Sequence, residues 1–343
     1  MRYTPKNMLV TGGAGFIGSN FIRYVLTHEP DITIINLDSL TYAGSLDNLN
    51  HLPDAERHHF VHGDICNRNL LQDLFQQYTI DTIVHFAAES HVDRSIASPE
   101  TFIGTNILGT FTLLEVARQH WLADTHKINA ACRFHHISTD EVYGSLELDD
   151  DAFTEQTAYR PRSPYSASKA GSDHLVHAYF HTYGLPVTIS NCSNNYGPYQ
   201  HQEKFIPTVI RSCLSAQPIP VYGQGKNIRD WLYVDDHCSA IMAILKLGVI
   251  GETYNVGGNN EWENLALVRH ICALIDKHHP QTQPCESLIS FVTDRPGHDF
   301  RYAIDDSKLR SSLAWQANET LTTGLLRTIA YYQNIAATRG IPA

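Results

Sequence analysis

Short apolar runs alternate with stretches of helical periodicity from Met8 to Ser190. Met8-Leu9-Val10-Thr11 enters a glycine turn, and apolar positions then recur at helical spacing from Phe16 to Leu26. Ile32 to Leu37 is a β-branched run that closes at Asp38, and His59-Phe60-Val61-His62 precedes Gly63-Asp64. Thr82 to Phe86, Phe134 to Ser138 and Val187 to Ser190 read as further strands. Leu70 to Tyr78, Phe102 to Gln119 and Tyr165 to Tyr183 read as helices. Strands alternating with helices predict βαβ units and a doubly wound α/β fold around a parallel sheet. The crossovers are expected to be right-handed.

Beyond about Asn195 proline and glycine punctuate the chain and the alternation fails, which predicts a smaller α/β region over the carboxyl edge of the sheet. The division expected is residues 1–195, with returns near 232–257 and 301–315, for the first domain. The second takes residues 196–231, 258–300 and 316–343. The helix from Phe102 to Gln119 carries little charge around most of its circumference. Such a helix is buried in a core or a subunit contact, and a homodimer is expected.

Composition narrows the class. A hydrophobic content of 43% over 343 residues suits a soluble globular protein with its own core. Seven scattered cysteines without a C-x-x-C pair argue against a disulfide framework and for a reducing compartment. No signal-peptide pattern or membrane-length apolar run is present, so a cytoplasmic location is expected. A formal charge of −11 disfavours nucleic acid as a partner. The twenty histidines show no metal-ligand spacing, and most read as solvated surface.

Candidate chemistry begins at Gly12-Gly13-Ala14-Gly15-Phe16-Ile17-Gly18, between a strand and a helix. Glycine there lets backbone amides approach a pyrophosphate at a helix N-terminus. The pattern alone is weak, but Asp38 ends the second strand roughly twenty residues later, where a carboxylate can take the adenosine ribose hydroxyls. That carboxylate would repel a 2′-phosphate, which favours NAD over NADP. Asp64-Ile65 after the third strand could hold the adenine, and Ala87-Ala88 after the fourth are small enough for close passage of a cofactor.

Tyr165-Ser166-Ala167-Ser168-Lys169 puts a phenol and an ammonium on one helix face, and Ser163-Pro164 marks the helix start. A nearby ammonium and a cationic nicotinamide are expected to lower the phenol's pKa, making Tyr165 a general base. Ser138-Thr139-Asp140-Glu141 leaves a strand at the edge where open α/β sheets bind ligands. Spacing alone favours a capped turn there. The other reading is an acid–base couple, in which one of two adjacent carboxyls stays protonated.

These residues resemble the extended short-chain dehydrogenase/reductase family, and within it the dTDP-glucose 4,6-dehydratases. The resemblance runs almost end to end and is most specific at Ser138-Thr139-Asp140-Glu141-Val142-Tyr143-Gly144 and Asp294-Arg295-Pro296-Gly297-His298-Asp299. It implies a Rossmann fold with NAD as cofactor and overrules the simple turn reading of the acidic pair. It also implies the conversion of dTDP-glucose to its 4-keto-6-deoxy product, within deoxysugar nucleotide biosynthesis. Tyr165, with Lys169 and Thr139, would take the C4 hydroxyl proton as hydride leaves C4. Glu141 would remove the C5 proton, Asp140 would protonate the departing C6 hydroxyl, and hydride would return to C6.

The same resemblance implies that NAD meets Gly12, Gly15, Phe16, Ile17, Gly18, Asp38, Ser39, Leu40, Thr41, Asp64 and Ile65. From the later elements it would meet Ala87, Ala88, Glu89, Ser90, His91, Thr105, Tyr165, Lys169 and Asn195. The nucleotide sugar would meet Ser90, Thr139, Asn194, Lys204, Phe205, Pro220, Val221, Tyr222, Arg229 and Asn264. The segment Asp294, Arg295, Pro296, Gly297 and His298 would complete that site. Lys204, Arg229 and Arg295 are the expected counter-charges of the pyrophosphate, Arg229 first among them. The chain departs from the family pattern at Asn191, His201, Gln202 and Phe205, positions expected beside the sugar-nucleotide loop. A 4-epimerase would not need Asp140 and Glu141, and a GDP-mannose-type dehydratase has serine where Asp140 stands. A non-catalytic NAD-sensing regulator would lose the tyrosine or the lysine.

Overall fold

The computed structural model describes residues 2–122, 131–279, 282–294 and 297–338. Among these, the first strands follow the predicted order: β1 (Asn7–Thr11), β2 (Thr33–Asp38), β3 (His58–His62), β4 (Thr82–His85), β5 (Arg133–Thr139) and β6 (Val187–Cys192). Others lie beyond: β7 (Asn194–Tyr196), β8 (Ile219–Tyr222), β9 (Ile228–Tyr233), β10 (Thr253–Val256), β11 (Glu261–Glu263) and β12 (Ile289–Val292). A seven-stranded sheet runs in the order β10-β6-β5-β4-β1-β2-β3, and all of its pairings are parallel. This is the doubly wound Rossmann arrangement, and the order reverses between β1 and β4. Ligands of open α/β sheets bind outside the strand ends at such a switch point.

The seventh strand, β10, is not part of the early alternation. It arrives from far along the chain and pairs with β6, setting Tyr254 against Ser190 and Val256 against Cys192. Both sheet faces are covered, as a parallel sheet requires. On one side Leu9, Ile35, Ile83, Phe134 and Ile189 pack with Leu113, Leu114 and Val176. On the other Met8, Val10, Ile34 and Val84 pack with Phe21, Val25, Ile241 and Leu245.

A second core gathers Ile206, Val209, Ile210, Val221, Trp231, Leu267, Ile271, Leu325 and Ile329. Around it stand helices Phe205–Leu214, Asn264–His278 and Leu321–Thr338 with the small sheets β11-β9-β7 and β12-β8. Among the described residues no helix is long and apolar enough to cross a membrane.

The expected helix from Phe102 to Gln119 is three pieces. An α-helical turn Pro99–Phe102 leads into a π-helical stretch Ile103–Gly109 and then the α-helix Thr110–Trp121. Inserted π turns frequently accompany functional sites. His85, His135, His136 and His237 are the interior exceptions to the solvated reading of most histidines. Burial holds His135 and His237 neutral, with pKa values lowered to about 3.

Candidate active site

The helix Pro164–Tyr183 starts where its sequence directs. Ser163 accepts a hydrogen bond from the Ser166 amide at 3.0 Å, Pro164 occupies the first turn, and Gly184 closes the helix at φ +73°. The glycine loop after β1 is equally constrained. Gly12 lies at φ +73°, and a Cβ there would stand 2.6 Å from the Ala87 amide nitrogen. A Cβ on Gly18 would stand 2.3 Å from the Gly12 carbonyl oxygen. The helix Phe16–His28 therefore begins tight against the end of β4, and its first turn has neither a side-chain cap nor an acidic residue. Its free amides form an anion site.

A cleft of about 470 Å³ opens along the carboxyl ends of the sheet strands. Gly12, Gly15, Phe16, Ile17, Gly18, Asp38, Ser39, Thr41, Asp64 and Ile65 line it on one side. Ala87, Ala88, Glu89, Ser90, Thr105, Thr139, Asp140, Glu141, Tyr165, Lys169, Asn194, Asn195 and Lys204 line the remainder. Asp38 does two structural jobs there. Its Oδ2 accepts from the Ala14 amide at 2.9 Å and its Oδ1 from the Leu40 amide at 2.8 Å. Leu40 itself sits at φ +51° outside the lining. His91 also stays outside, with Nε2 facing the Glu203 carboxylate at 3.9 Å.

Beneath the cofactor side runs a chain of hydrogen bonds. The Thr110 hydroxyl donates to the Asn106 carbonyl at 2.7 Å, so it accepts from His85 Nε2 at 2.9 Å. His85 Nδ1 then accepts from the Thr11 hydroxyl at 2.7 Å, and that oxygen receives the Ala87 amide at 3.3 Å. The Asn106 side chain clamps the Glu89 amide at 2.9 Å and the Glu89 carbonyl at 3.0 Å.

Thr139 ends β5, and Asp140–Tyr143 forms one 3-10 turn whose cap is the Thr139 hydroxyl, accepting from the Glu141 amide at 3.3 Å. The capped turn and the acidic pair are thus the same object. Asp140 is 2% exposed, and its Oδ2 has no hydrogen-bond partner among the described residues. Burial, and then the neighbouring Glu141 and Asp230 charges, push its carboxyl well above the usual range, opposed by Arg229 and by a bond with Thr139. The protonated acid is favoured at that position.

Tyr165 does not behave as its neighbours in sequence suggest. Burial raises its phenol well above the ordinary value, the Glu141 charge adds to this, and a hydrogen bond with Thr139 opposes it. The Lys169 ammonium, turned to the Ile137 carbonyl at 2.7 Å and 3.4 Å from His136 Nε2, is outweighed by that burial.

The remaining predicted residues do not join this cleft. Phe205 stacks on Trp231 with ring centroids 6.1 Å apart, and Val221 is 1% exposed in the second core. Arg229 is buried, donating to the carbonyls of Ile228 at 2.7 Å and Asp299 at 2.9 Å and lying 4.2 Å from the Tyr302 ring centroid. Asn264 begins its helix, with its amide on the Asn227 carbonyl at 2.9 Å. Tyr222, Asp294 and His298 form a separate group at the ends of β8 and β12, with His298 Nδ1 2.7 Å from Asp294 Oδ1. Pro220 and Gly297 lie on these same segments, outside the cleft. Arg295 and Pro296 fall outside the described residues. Asn191 is interior on β6, donating to the hydroxyls of Tyr143 and Tyr159, so it stands below the floor of the site rather than beside a sugar loop. His201 does line the cleft, whereas Gln202 is next to it in the following turn.

Tyr42, Gln200, Cys192 and Ser193 also line the cleft, and Asn106 holds its wall. Only the fold brings these into place; no local pattern announces them.

The family model for GDP-mannose 4,6 dehydratase matches residues 9–328. A dTDP-glucose 4,6-dehydratase of Neisseria gonorrhoeae is 54% identical over 332 residues, covering 95% of each chain. The crystal structure of dTDP-glucose 4,6-dehydratase from Bacillus anthracis in complex with NAD superposes with a TM-score of 0.86 at 43% identity, covering 97% of this chain and 98% of that one. The Streptomyces venezuelae enzyme with NAD bound gives 0.86 at 44% identity and the same coverage. Matched by the family model over residues 9–328 and by relatives over nearly the full length, the chain belongs to the nucleotide-sugar 4,6-dehydratase family of the extended short-chain dehydrogenases/reductases.

Proposed function

We propose that this cleft converts dTDP-glucose to dTDP-4-keto-6-deoxyglucose as an NAD-dependent hydro-lyase. The observation that carries the proposal is the meeting of Thr139-Asp140-Glu141 and Tyr165-Lys169 in one cleft with a glycine cradle. The cradle fits NAD: Gly12 and Gly18 leave no room for a Cβ, the helix amides are uncapped, and Asp38 closes β2 beside them. Bound in this cradle, NAD would supply the hydride acceptor and donor that the C4 and C6 positions need.

The protein's own groups move the protons. Tyr165 acts as the phenolate, which the positive charge of bound NAD and the Lys169 ammonium would favour against burial. Its Oη takes the proton of the C4 hydroxyl, and the Thr139 hydroxyl orients it. The C4 ketone acidifies the neighbouring carbon, from which Glu141 removes the C5 proton and to which it returns a proton once C6 has taken the hydride. Asp140, kept protonated by burial and by the adjacent carboxylate, gives its proton to the C6 hydroxyl as water departs. Acid–base assistance of this kind is typically worth about 10²–10⁴ in rate. A 4-epimerase has no task for a protonated Asp140 beside Glu141.

Tyr222, Asp294 and His298 lie beyond the cleft and are the proposed contacts of the nucleotide end, with Lys204 nearest the pyrophosphate. We place the enzyme in the cytoplasm as a homodimer. Ile103, Leu108 and Phe111 are 46%, 56% and 38% exposed on one helical segment, a face suited to a second copy. A monomeric mass by light scattering at micromolar concentration would exclude the dimer.

The test of function is incubation of the NAD-loaded protein with dTDP-glucose, followed by the alkali-induced absorbance of a 4-keto-6-deoxy product. Glu141→Gln is expected to abolish elimination while C4 oxidation persists as reduced cofactor. Full dehydration by that variant would remove Glu141 from the role of base.

A further inference from the structure

Behind Lys169, on the side away from the cleft, lies a run of interior polar side chains that the reaction above does not use. Lys169 is 4% exposed and Asp173, one turn further along the same helix, is completely buried. His136 sits between them. Its Nε2 is 3.4 Å from Lys169 Nζ, 3.2 Å from Asp173 Oδ1 and 3.2 Å from Ser172 Oγ. Asp173 Oδ2 accepts from the Ser138 hydroxyl at 2.7 Å, and the Tyr159 hydroxyl bonds the same carboxyl. Tyr159 in turn accepts from Asn191 at 3.0 Å, Asn191 also donates to Tyr143 at 2.9 Å, and Tyr143 donates to Asn255 at 2.8 Å.

A buried ammonium pays a large desolvation penalty unless a counter-charge stands close. The titratable groups that face Lys169 are Asp173 on its own helix, His136 on β5, Cys192 on β6 and His85 on β4. Those facing Asp173 are Lys169 and His177 on its helix, His136 on β5, Tyr159 from the preceding loop and Tyr143 from the acidic turn. Burial and the Lys169 charge keep His136 and His85 neutral, and burial raises the Cys192 thiol to about 12. Burial raises the Asp173 carboxyl, while the Lys169 charge and the bonds from Ser138 and Tyr159 hold it down. Asp173 is left as the carboxylate opposite Lys169 in this layer, and it does not reach the cleft.

We propose that Asp173 is the positioning residue of this active site, its charge holding Lys169 as an ammonium beside Tyr165 across the neutral ring of His136. Ser138 and Tyr159 fix its carboxylate. The inference rests on the reading of Tyr165 and Lys169 given above, and it assigns to the buried layer the task of keeping the lysine charged. Without that charge the phenol of Tyr165 loses its electrostatic partner, so both ends of the working pH range contract.

Asp173→Asn keeps the shape of the side chain and removes its charge. The bell-shaped dependence of kcat on pH is expected to narrow, with its alkaline limb lower by about one unit or more, since one unit is a tenfold change in the protonation equilibrium. At pH 8 kcat should fall about tenfold while KM for dTDP-glucose stays within about threefold. Asp173→Glu should bring the limb part of the way back. An independent readout is the ¹³C titration of the Lys169 side chain in the NAD-loaded protein, whose midpoint should fall by a similar amount in Asp173→Asn. It also separates two failures. Wild-type protein inactive on dTDP-glucose refutes the proposed reaction, whereas an unmoved lysine midpoint refutes the role of Asp173. A uniform loss of kcat with an unshifted pH profile likewise overturns it. If Asp173→Asn does not fold, Tyr159→Phe strips one donor from the same carboxylate. It should move the limb the same way by less, and a stationary limb in that variant counts against the proposal.

Discussion

Asn106 Nδ2 donates to Ser168 Oγ at 2.8 Å, joining the π-helical stretch to the helix that carries Tyr165 and Lys169. The same amide clamps both backbone groups of Glu89, so one side chain sets the loop after β4 against the catalytic helix. Asn106→Ala leaves the Glu89 amide and carbonyl and the Ser168 hydroxyl short of a partner. Each such buried group costs about 1–3 kcal/mol. Because water from the cleft can satisfy some of them, a total loss of about 2–4 kcal/mol is expected. The urea midpoint should drop with an unchanged m-value, and NAD affinity should fall with it. A variant of wild-type midpoint would show that Asn106 is not the clamp.

Asp38 is expected to serve NAD indirectly as well as directly. Its two oxygens already hold the Ala14 and Leu40 amides, one in the glycine loop and one in the turn that ends β2. Asparagine has a single acceptor oxygen and cannot receive both. Asp38→Asn should therefore loosen the glycine loop and weaken NAD binding, losing about 1.5–3 kcal/mol for one charge-assisted bond. It should also reduce discrimination against NADP by lifting the repulsion of a 2′-phosphate. Titration calorimetry with both cofactors measures this, and an unchanged NAD/NADP ratio would deny Asp38 the selective role.

The sheet was legible because its strands are short apolar runs separated by helices of the right length. β10 was legible only as part of a return near 232–257 to the first domain and not as a strand, because Thr253–Val256 is four residues long and pairs with β6 from far away in sequence. The glycine loop, Asp38, Tyr165 and Lys169 could be read because each stands at a fixed offset from an element boundary. The π-helical interruption could not: its run Ile103–Gly109 reads like the helix around it, and the contacts that Asn106 makes from it are tertiary. The interior histidines could not be told from the solvated ones for a similar reason. His85, His135 and His136 sit on strands where the threonine and serine hydroxyls of neighbouring elements help make their burial tolerable. The raised Tyr165 phenol shows the limit of reasoning from i and i+4 alone, since helix spacing places Lys169 on the right face but does not say where its ammonium points.

Asp140 should be a source of instability that the chemistry requires. Its folded-state pKa is raised, so the folded protein binds more protons than the unfolded chain between the ordinary carboxyl value near ~3.9 and that raised value. Stability therefore falls as pH climbs through this interval. Asp140→Asn removes both the buried charge and its repulsion from Glu141. The variant should match wild type near pH 4 and become more stable than it toward pH 8. The gap should widen by ~1.4 kcal/mol for every pH unit climbed within the interval. Elimination should be lost at the same time, the usual exchange of activity for stability at a strained site. Melting temperatures across this range decide the matter, and a stability difference that stays constant with pH would contradict a protonated Asp140.

Arg94 closes the rim of the cleft. Its guanidinium lies 3.9 Å from the Tyr42 ring centroid and 3.1 Å from the Glu203 carboxylate, while Lys204 donates to the Ser90 carbonyl at 3.1 Å. Loops after β2, β4 and β7 are thereby laced together over the cofactor side. The reaction returns its hydride, so retention of NAD between turnovers is useful. Arg94 and Glu203 are about half exposed, which limits their ion pair to about 1 kcal/mol or less, and the stacking on Tyr42 adds about 0.5–1 kcal/mol. Arg94→Ala should then speed NAD release by roughly fivefold to thirtyfold, the factor that about 1–2 kcal/mol represents. Raising the salt from 0.05 to 0.5 M (about a threefold shorter screening length) should speed release from wild type but barely alter the variant. Equal release rates from the two proteins at low salt would mean that the cofactor is held by the glycine loop and Asp38 alone.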